Sequence, residues 1–249
     1  MQLEKDGNYY YISNPKKFEG SLVNENELNL VLNFAYEMCF GVGHHRSHRT
    51  GGQYGRKGGE MFCNTFQGKL GELVLYQYFK TKGFILNEPD FGIYSKGVWD
   101  DTDLEINNKK INVKTVASQS NLLLLELDDW NEKGEYIPNL KNGSTSNYDY
   151  FILVRINPDI KKIFKRERLM YNNEINKDII QGLILQNKWS FDIAGYSSSE
   201  EVIKAIKNKD ILPQNSILNK YTTMDASNYY IQSGDMNNID ALVRELANL

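Results

Sequence analysis

The sequence has few cysteines and no long hydrophobic run, and these absences exclude several classes of protein. Among its 249 residues only Cys39 and Cys63 are cysteines, too few for the disulfide framework of a small secreted domain. No apolar stretch approaches the roughly 20 residues that a membrane-spanning helix needs. The first residues, MQLEKDGNYYYI, carry charges where a secretory signal is apolar. These features predict a cytoplasmic protein without a membrane partner.

An excess of positive charge and the common nucleotide-binding motifs are also absent. The formal net charge is −3, so binding to nucleic acid would depend on local basic patches. The sequence contains neither a G-x-x-x-x-G-K-[ST] loop nor a dinucleotide fingerprint, which argues against a nucleotide-driven motor. Hydrophobic residues make up 41% and charged residues 24%, a balance typical of a globular protein with a full core.

Hydrophobic periodicity predicts an α/β or mixed α+β protein. Apolar residues at helical spacing predict helices over residues 25–40, 61–82, 171–188, 197–207 and 237–248. Alternating patterns and short apolar runs predict strands over residues 98–106, 109–116, 121–127 and 149–156. Between the first two strands, Asn107-Asn108 predicts a hairpin turn, because asparagine tolerates positive φ.

This hairpin carries an unusual set of polar residues. Side chains alternate along a strand, so Asn112 and Lys114 share a face, and the turn brings Asp103 towards them. Glu72 on the preceding helix is the fourth candidate. A hard cation such as Mg²⁺ binds carboxylates and acidifies bound water, while a lysine stabilises developing negative charge. The combination indicates phosphodiester hydrolysis, although charged hairpins are also common as plain solvated surface.

The segment WDDTDLEINNKKINVKT resembles the core of the PD-(D/E)xK nuclease superfamily, to which many type II restriction endonucleases belong. Members of that family place an acid on one strand and an acid-any-lysine triplet on the next. The matching positions here are Asp103 and Asn112-Val113-Lys114. In addition, GKLGELVLYQYF resembles the helix before the hairpin, which supplies Glu72, and YDYFILVRI resembles the core strand that follows.

The resemblance implies a restriction-endonuclease-like core with a central mixed sheet flanked by helices. It further implies a single nuclease domain over residues 1–249, with its core at about 61–156, an N-terminal helix and basic loop at 25–60 and a C-terminal extension at 157–249. Catalysis would use Glu72, Asp103, Asn112 and Lys114, with Mg²⁺ held by Asp103, Asn112, Glu72 and Val113. The expected activity is sequence-specific cleavage of double-stranded DNA by a homodimer, as in restriction-modification, because two sites can address the two strands of a palindrome. Repair, junction-resolving and phage-defence nucleases of the same superfamily remain alternatives.

The triplet departs from the family at Asn112, where an aspartate or glutamate is usual. An amide oxygen can bind a metal ion but brings no negative charge. Asn112 is therefore either a natural variant, an inactivating replacement of an acid, or the mark of a non-catalytic DNA-binding module that keeps a nuclease fold. Asp100 and Asp101 compete with Asp103 for the ligand position. Pro89-Asp90 spells the other half of the family name but lies farther upstream.

A glycine-rich basic loop precedes the helix that carries Glu72. Arginine can bind guanine edges through two hydrogen bonds, and arginine and lysine both contact phosphates. The loop therefore predicts a DNA-binding surface. The predicted DNA-binding residues of the loop are His44, His45, Arg46, His48, Arg49, Arg56 and Lys57. Gln119, which follows the active-site strand, is predicted as a further DNA contact or as support for the metal site.

Three further patterns have alternative interpretations. Cys39, His44, His48 and Cys63 are suitable ligand types for zinc, but their spacing matches no known motif and buried cysteines are common in helices. The run IKKIFKRERLMY could follow a phosphate backbone or form an ordinary exposed edge. The tyrosines of NYYIQ could contact bases or belong to the core.

Overall fold

Helices and strands are interspersed along the chain in a mixed α+β arrangement. The computed structural model describes residues 1–41, 55, 57–93, 103–141 and 147–249. In those residues the helices are α1 (Glu25–Phe40), α2 (Gly58–Thr81), α3 (Ile137–Lys141), α4 (Ile160–Arg166), α5 (Lys177–Leu185), α6 (Ser199–Lys207) and α7 (Ile239–Ala247). The strands are β1 (Glu4–Asp6), β2 (Tyr9–Tyr11), β3 (Ser21–Leu22), β4 (Leu104–Ile106), β5 (Lys109–Ala117), β6 (Leu122–Glu126), β7 (Tyr150–Asn157), β8 (Ser190–Ser198), β9 (Ile211–Leu212), β10 (Ile217–Leu218), β11 (Thr222–Thr223) and β12 (Asn228–Gln232). None of the helices described is long and apolar enough to cross a membrane.

A five-stranded mixed sheet lies at the centre, in the order β3-β8-β7-β5-β4. Strand β5 pairs antiparallel with β4 and parallel with β7, while β8 is antiparallel to both of its neighbours. The mixed central sheet predicted from the sequence is thus confirmed. It takes β3 and β8 from outside residues 61–156, so the sheet extends beyond the stretch that resembles the nuclease core.

The predicted hairpin forms with the predicted turn. Asn107 and Asn108 adopt φ of 50° and 63°, as both central residues of a tight hairpin turn of the I′ type require. The strands then pair Leu104 with Ile111 and Glu105 with Lys110. One step further along this register, Asp103 stands opposite Asn112.

Most predicted helices form, with shifted ends. Helices α1, α6 and α7 nearly match their predicted ranges, and capping boxes begin α1 at Asn24 and α6 at Ser198. Helix α2 begins three residues earlier than predicted, at Gly58, and the helix predicted over 171–188 is confined to Lys177–Leu185. The strand predicted over 121–127 forms as β6, but it pairs with β12 in a separate sheet.

Both faces of the central sheet are buried. On one face, α2 inserts aromatic and aliphatic side chains such as Phe66 and Leu70 against Ile111, Ile152 and Val154. On the other face, the apolar cluster is formed by side chains from β6, β7, α6 and the segments before them: Leu123, Leu125, Trp130, Tyr148, Phe151, Leu153 and Val202. Burial on both sides explains why β7 is apolar at successive positions from Tyr150 to Val154.

Helix α2 approaches β5 most closely at Gly71. A Cβ atom at this position would lie 1.8 Å from Thr115 Oγ1, so only glycine fits without displacing the strand. One turn earlier, Gln67 Nε2 donates a hydrogen bond to the Thr115 carbonyl at 2.9 Å. These two contacts set the position of α2 on the strand that carries Asn112 and Lys114.

Replacing Gly71 by alanine should therefore destabilise the protein. The added methyl group overpacks the contact with Thr115, and we expect the free energy of unfolding to fall by about 1–3 kcal/mol. Gly68→Ala is the matched control, because Gly68 lies on the same helix with no atom near the added methyl group; it should stabilise α2 by up to about 1 kcal/mol. Urea denaturation of both variants measures the difference, and equal effects would show that the close approach does not fix α2.

Candidate active site

The Asp103 carboxylate is hydrogen-bonded to the backbone at the edge of β5. Its Oδ2 accepts a hydrogen bond from the backbone nitrogen of Val113 at 2.7 Å. Backbone pairing between β4 and β5 ends at Leu104–Ile111, so the carboxylate continues the pairing where β4 stops. Val113, predicted as a metal ligand, thus contributes its N–H group to holding Asp103.

Alternation along β5 places two of the four predicted catalytic residues on one face. Ile111 is buried on the α2 side and Thr115 contacts Gly71 there, so Asn112 and Lys114 point to the opposite side. The Asp103 carboxylate, bonded at the edge of β5, is close enough to this side that its charge acts on Tyr148, the neighbour of Asn112. In the parallel pairing with β7, Asn112 is in register with Phe151 and Lys114 with Leu153.

Glu72 lies on α2, on the other side of β5. Its carboxylate is hydrogen-bonded to the Lys69 ammonium group three residues earlier on the same helix. That ammonium group also lies 5.3 Å from the centre of the Phe34 ring and 5.7 Å from that of Phe91. Glu72 therefore has a cationic neighbour on its own helix, a partner that the spacing argument did not predict.

Asn112 is 6% exposed, and its Oδ1 atom is buried without a hydrogen-bond partner. The amide group is hydrogen-bonded to the hydroxyl of Tyr148, which Asn139 also contacts. Since Oδ1 is unpaired, the bond to Tyr148 is made by Nδ2. Burial, with a smaller contribution from the Asp103 charge, raises the pKa of Tyr148, so its hydroxyl stays protonated at neutral pH. Sequence reasoning missed Tyr148, which precedes β7 and meets Asn112 only through the pairing of β5 with β7.

The oxygen atoms on this face suit a hard cation in type but are few. A carboxylate and an amide oxygen are the ligands that Mg²⁺ accepts, and Mg²⁺ usually keeps several water molecules. In the part of the chain that the structure describes, no group of three or more His, Cys, Asp or Glu side chains could hold a metal ion. Within the described residues, the hairpin face therefore supplies oxygen atoms of a suitable type but not a complete set of ligands, and the Asn112 oxygen is buried.

The residues predicted to bind DNA lie mostly in the loop before α2. His44, His45, Arg46, His48, Arg49 and Arg56 lie outside the described residues, as do Asp100 and Asp101. Lys57 is exposed at the N-cap of α2. Gln119 Nε2 donates to Asp159 Oδ2 at 2.8 Å, and Asp159 is the N-cap of α4. The Gln119 amide thus joins the end of the active strand to α4.

The remaining sequence alternatives find mostly local partners. Asp90 Oδ1 accepts a hydrogen bond from the Gly92 backbone at 2.7 Å. Cys39 Sγ lies 3.6 Å from Thr65 Oγ1, and Cys63 Sγ donates to the Ile160 carbonyl at 3.9 Å. Burial raises the pKa of the Cys63 thiol and raises that of Cys39 to about 11. Both thiols therefore resist the deprotonation that zinc binding requires, while His44 and His48 are not described.

No protein-family model matches this sequence, and no curated protein or solved structure is significantly similar to it.

Removing the Tyr148 hydroxyl should destabilise the hairpin face. Tyr148→Phe leaves the buried Asn112 Nδ2 without its partner, and we expect a loss of about 1–3 kcal/mol in the free energy of unfolding. Tyr171→Phe removes the same group from a side chain that is 69% exposed and should change stability by less than about 0.5 kcal/mol. In an Asn112→Ala background the Tyr148→Phe loss should shrink, since the interaction is already gone. A loss of the same size in both backgrounds would show that the Tyr148 hydroxyl and the Asn112 amide do not interact.

Proposed function

We propose that this protein is a magnesium-dependent endonuclease that hydrolyses phosphodiester bonds of double-stranded DNA, of the type II restriction endonuclease kind. The observation that carries the proposal is the shared face of Asn112 and Lys114, with the Asp103 carboxylate close to it. There a carboxylate fixed to the strand edge lies beside a buried amide oxygen without a partner. A lysine follows on the same face of β5.

Each of these side chains has a distinct part in phosphodiester hydrolysis. Bound Mg²⁺ would supply positive charge next to the phosphate and acidify a water molecule. Asp103 supplies a carboxylate whose orientation is fixed by Val113 N–H, and Asn112 supplies a neutral oxygen whose orientation is fixed by Tyr148. The Lys114 ammonium group orients the attacking water and stabilises the negative charge that develops on the phosphate.

The order of elements supports a restriction-endonuclease-like core. A long helix, α2, precedes the β4–β5 hairpin, and β7 then joins β5 in parallel. This is the order of helix, acid strand, triplet strand and core strand that the sequence resemblance implies. Under the same proposal the active form is a homodimer, because a two-fold pair of sites can cut both strands of a palindromic sequence.

A DNA-binding module that keeps the fold without cleavage is the second candidate. Two observations favour it: Asn112 brings no charge, and its amide nitrogen is occupied by Tyr148. The two functions differ in one measurable property, the cleavage of plasmid DNA with Mg²⁺ compared with a chelator.

Lys114→Ala should abolish cleavage and leave DNA binding largely intact. We expect the cleavage rate to fall at least ~100-fold, as when other single electrostatic or acid–base groups are removed. Lys110→Ala is the matched control, because Lys110 has the same charge on the same face of β5, four residues earlier; it should cut at nearly the normal rate. Plasmid cleavage and gel-shift binding measure both effects. Normal cutting by Lys114→Ala would remove this lysine from the mechanism.

Asn112→Asp should tighten magnesium binding and accelerate cleavage. The change adds a carboxylate beside Asp103 with almost no change in volume, and the rate should rise on the order of 100-fold. Asn139→Asp is the control, since Asn139 is also buried and also contacts Tyr148 but lies outside the hairpin; it should give no such gain.

The measurement is a magnesium titration of the cleavage rate for wild type and both variants on one DNA. If Asn112 is the natural residue of a working enzyme, Asn112→Asp should leave the cleavage rate nearly unchanged or lower it. If neither wild type nor Asn112→Asp cuts at any concentration while both bind DNA, the binding module is the correct function.

A further inference from the structure

Helix α4 presents a strongly basic surface. Lys162, Lys165 and Arg166, here called the α4 basic face, are exposed. Residues 161–168 hold five basic side chains against the single acid Glu167, a net charge of +4 by count, in a chain whose net charge is −3. The surface is thus positive against the sign of the whole protein.

The structure orients this face towards solvent. Positions 162, 165 and 166 are three and four residues apart and so lie on one side of a helix. The other side is buried against α2, where the rings of Phe164 and Phe62 lie 5.3 Å apart. Arg166 pairs with Glu167 at 2.8 Å, but both side chains are well exposed, so this pair is weak and exchangeable.

Helix α4 is tied to the strand that carries Lys114. At the end of β5, Ser118 Oγ lies 3.3 Å from Asn157 Oδ1, and Gln119 donates to Asp159. Asp159 in turn caps α4 through the backbone nitrogens of its first turn. The α4 basic face therefore begins at the carboxyl end of the proposed catalytic strand.

The segment after α4 also packs on the start of α2. Gly59 N donates to the Asn172 carbonyl at 2.8 Å, and a Cβ atom at Gly59 would lie 2.1 Å from the Leu169 carbonyl oxygen. The second basic run of the sequence is thereby brought to the helix end where Lys57 is exposed. Lys57 and the segment that follows α4 are far apart in sequence and are brought together by this packing.

We infer that the α4 basic face contacts the phosphate backbone of double-stranded DNA. The choice of DNA rests on the proposed function of the hairpin. Lysine and arginine at this surface carry the charge that phosphates require, and such contacts fix position on the duplex without reading its sequence. Charge in the last helical turn also complements the helix dipole, but this effect does not account for Lys162 or for the basic residues beyond the helix end.

The test is the salt dependence of DNA binding by a triple variant, Lys162→Ala, Lys165→Ala and Arg166→Ala, with Mg²⁺ chelated so that no cleavage occurs. Each lost phosphate contact should lower the slope of log affinity against log salt by about 0.9, so the triple variant should lose about 2–3. The control removes three exposed lysines at the end of α6, as Lys204→Ala, Lys207→Ala and Lys209→Asn; asparagine suits the positive φ of 55° at Lys209. The control should retain the wild-type slope, and circular dichroism confirms that both variants fold.

An unchanged slope in the α4 variant overturns the inference, and so does an equal loss in the α6 control, which would indicate general charge. If the protein prefers single-stranded RNA and the α4 variant shows the same loss of slope with RNA, the partner is RNA and the inference of double-stranded DNA is overturned. If the wild type cleaves DNA but the α4 variant keeps the wild-type slope, only the inference about the α4 basic face is overturned. If the α4 variant loses slope but the wild type does not cleave DNA, the inference about this surface is supported and the nuclease function is overturned. If wild type fails to bind double-stranded DNA, both proposals fall.

Discussion

The attachment of the N-terminal segment and of the β6 sheet to the central sheet depends on one buried guanidinium group, that of Arg155 on β7, which is 1% exposed. It forms two hydrogen bonds with the Asp192 carboxylate on β8, at 2.8 and 2.5 Å. Its remaining donors bind the carbonyls of Lys16 and Lys17 and the Asn121 side chain just before β6. A buried charge is tolerated only when its partners are complete, so this group holds the N-terminal segment and the β6 sheet against the central sheet.

The strand that carries Arg155 also helps to fix the position of the candidate site. Strand β7, held through Arg155, pairs with β5 from Ile111 to Ala117, and α2 packs on one face of β5 through Gly71. Within the described residues, β4 covers the opposite edge of β5 only as far as Ile111. Beyond that point, the Val113 N–H group donates its hydrogen bond to the Asp103 carboxylate and not to a strand. The polar residues of the candidate site lie at this part of β5.

Local signals predicted the hairpin and the faces of its residues, but not what covers them. The Asn107-Asn108 turn and the two-residue alternation of a strand depend only on neighbouring residues, so both could be deduced from sequence. The partner of Asn112 could not, because Tyr148 reaches it only through the β5–β7 pairing. For the same reason β6 was identified as a strand while its pairing with β12 was not. Lys69 lies three residues before Glu72 on the same helix, so that pair was within reach of local reasoning and was missed.

Asn112 shows how folding and the proposed chemistry constrain one position. A carboxylate there would stand opposite Asp103 on the hairpin, and like charges at such cross-strand positions destabilise the pair. The amide avoids this repulsion, and Tyr148 holds its nitrogen, at the expense of a buried oxygen without a partner. Such an orphan costs about 1–3 kcal/mol. Among the described residues, Asp103 is the carboxylate of the hairpin that lies near Asn112. Under the proposed function, the phosphate of the substrate supplies further negative charge beside Lys114.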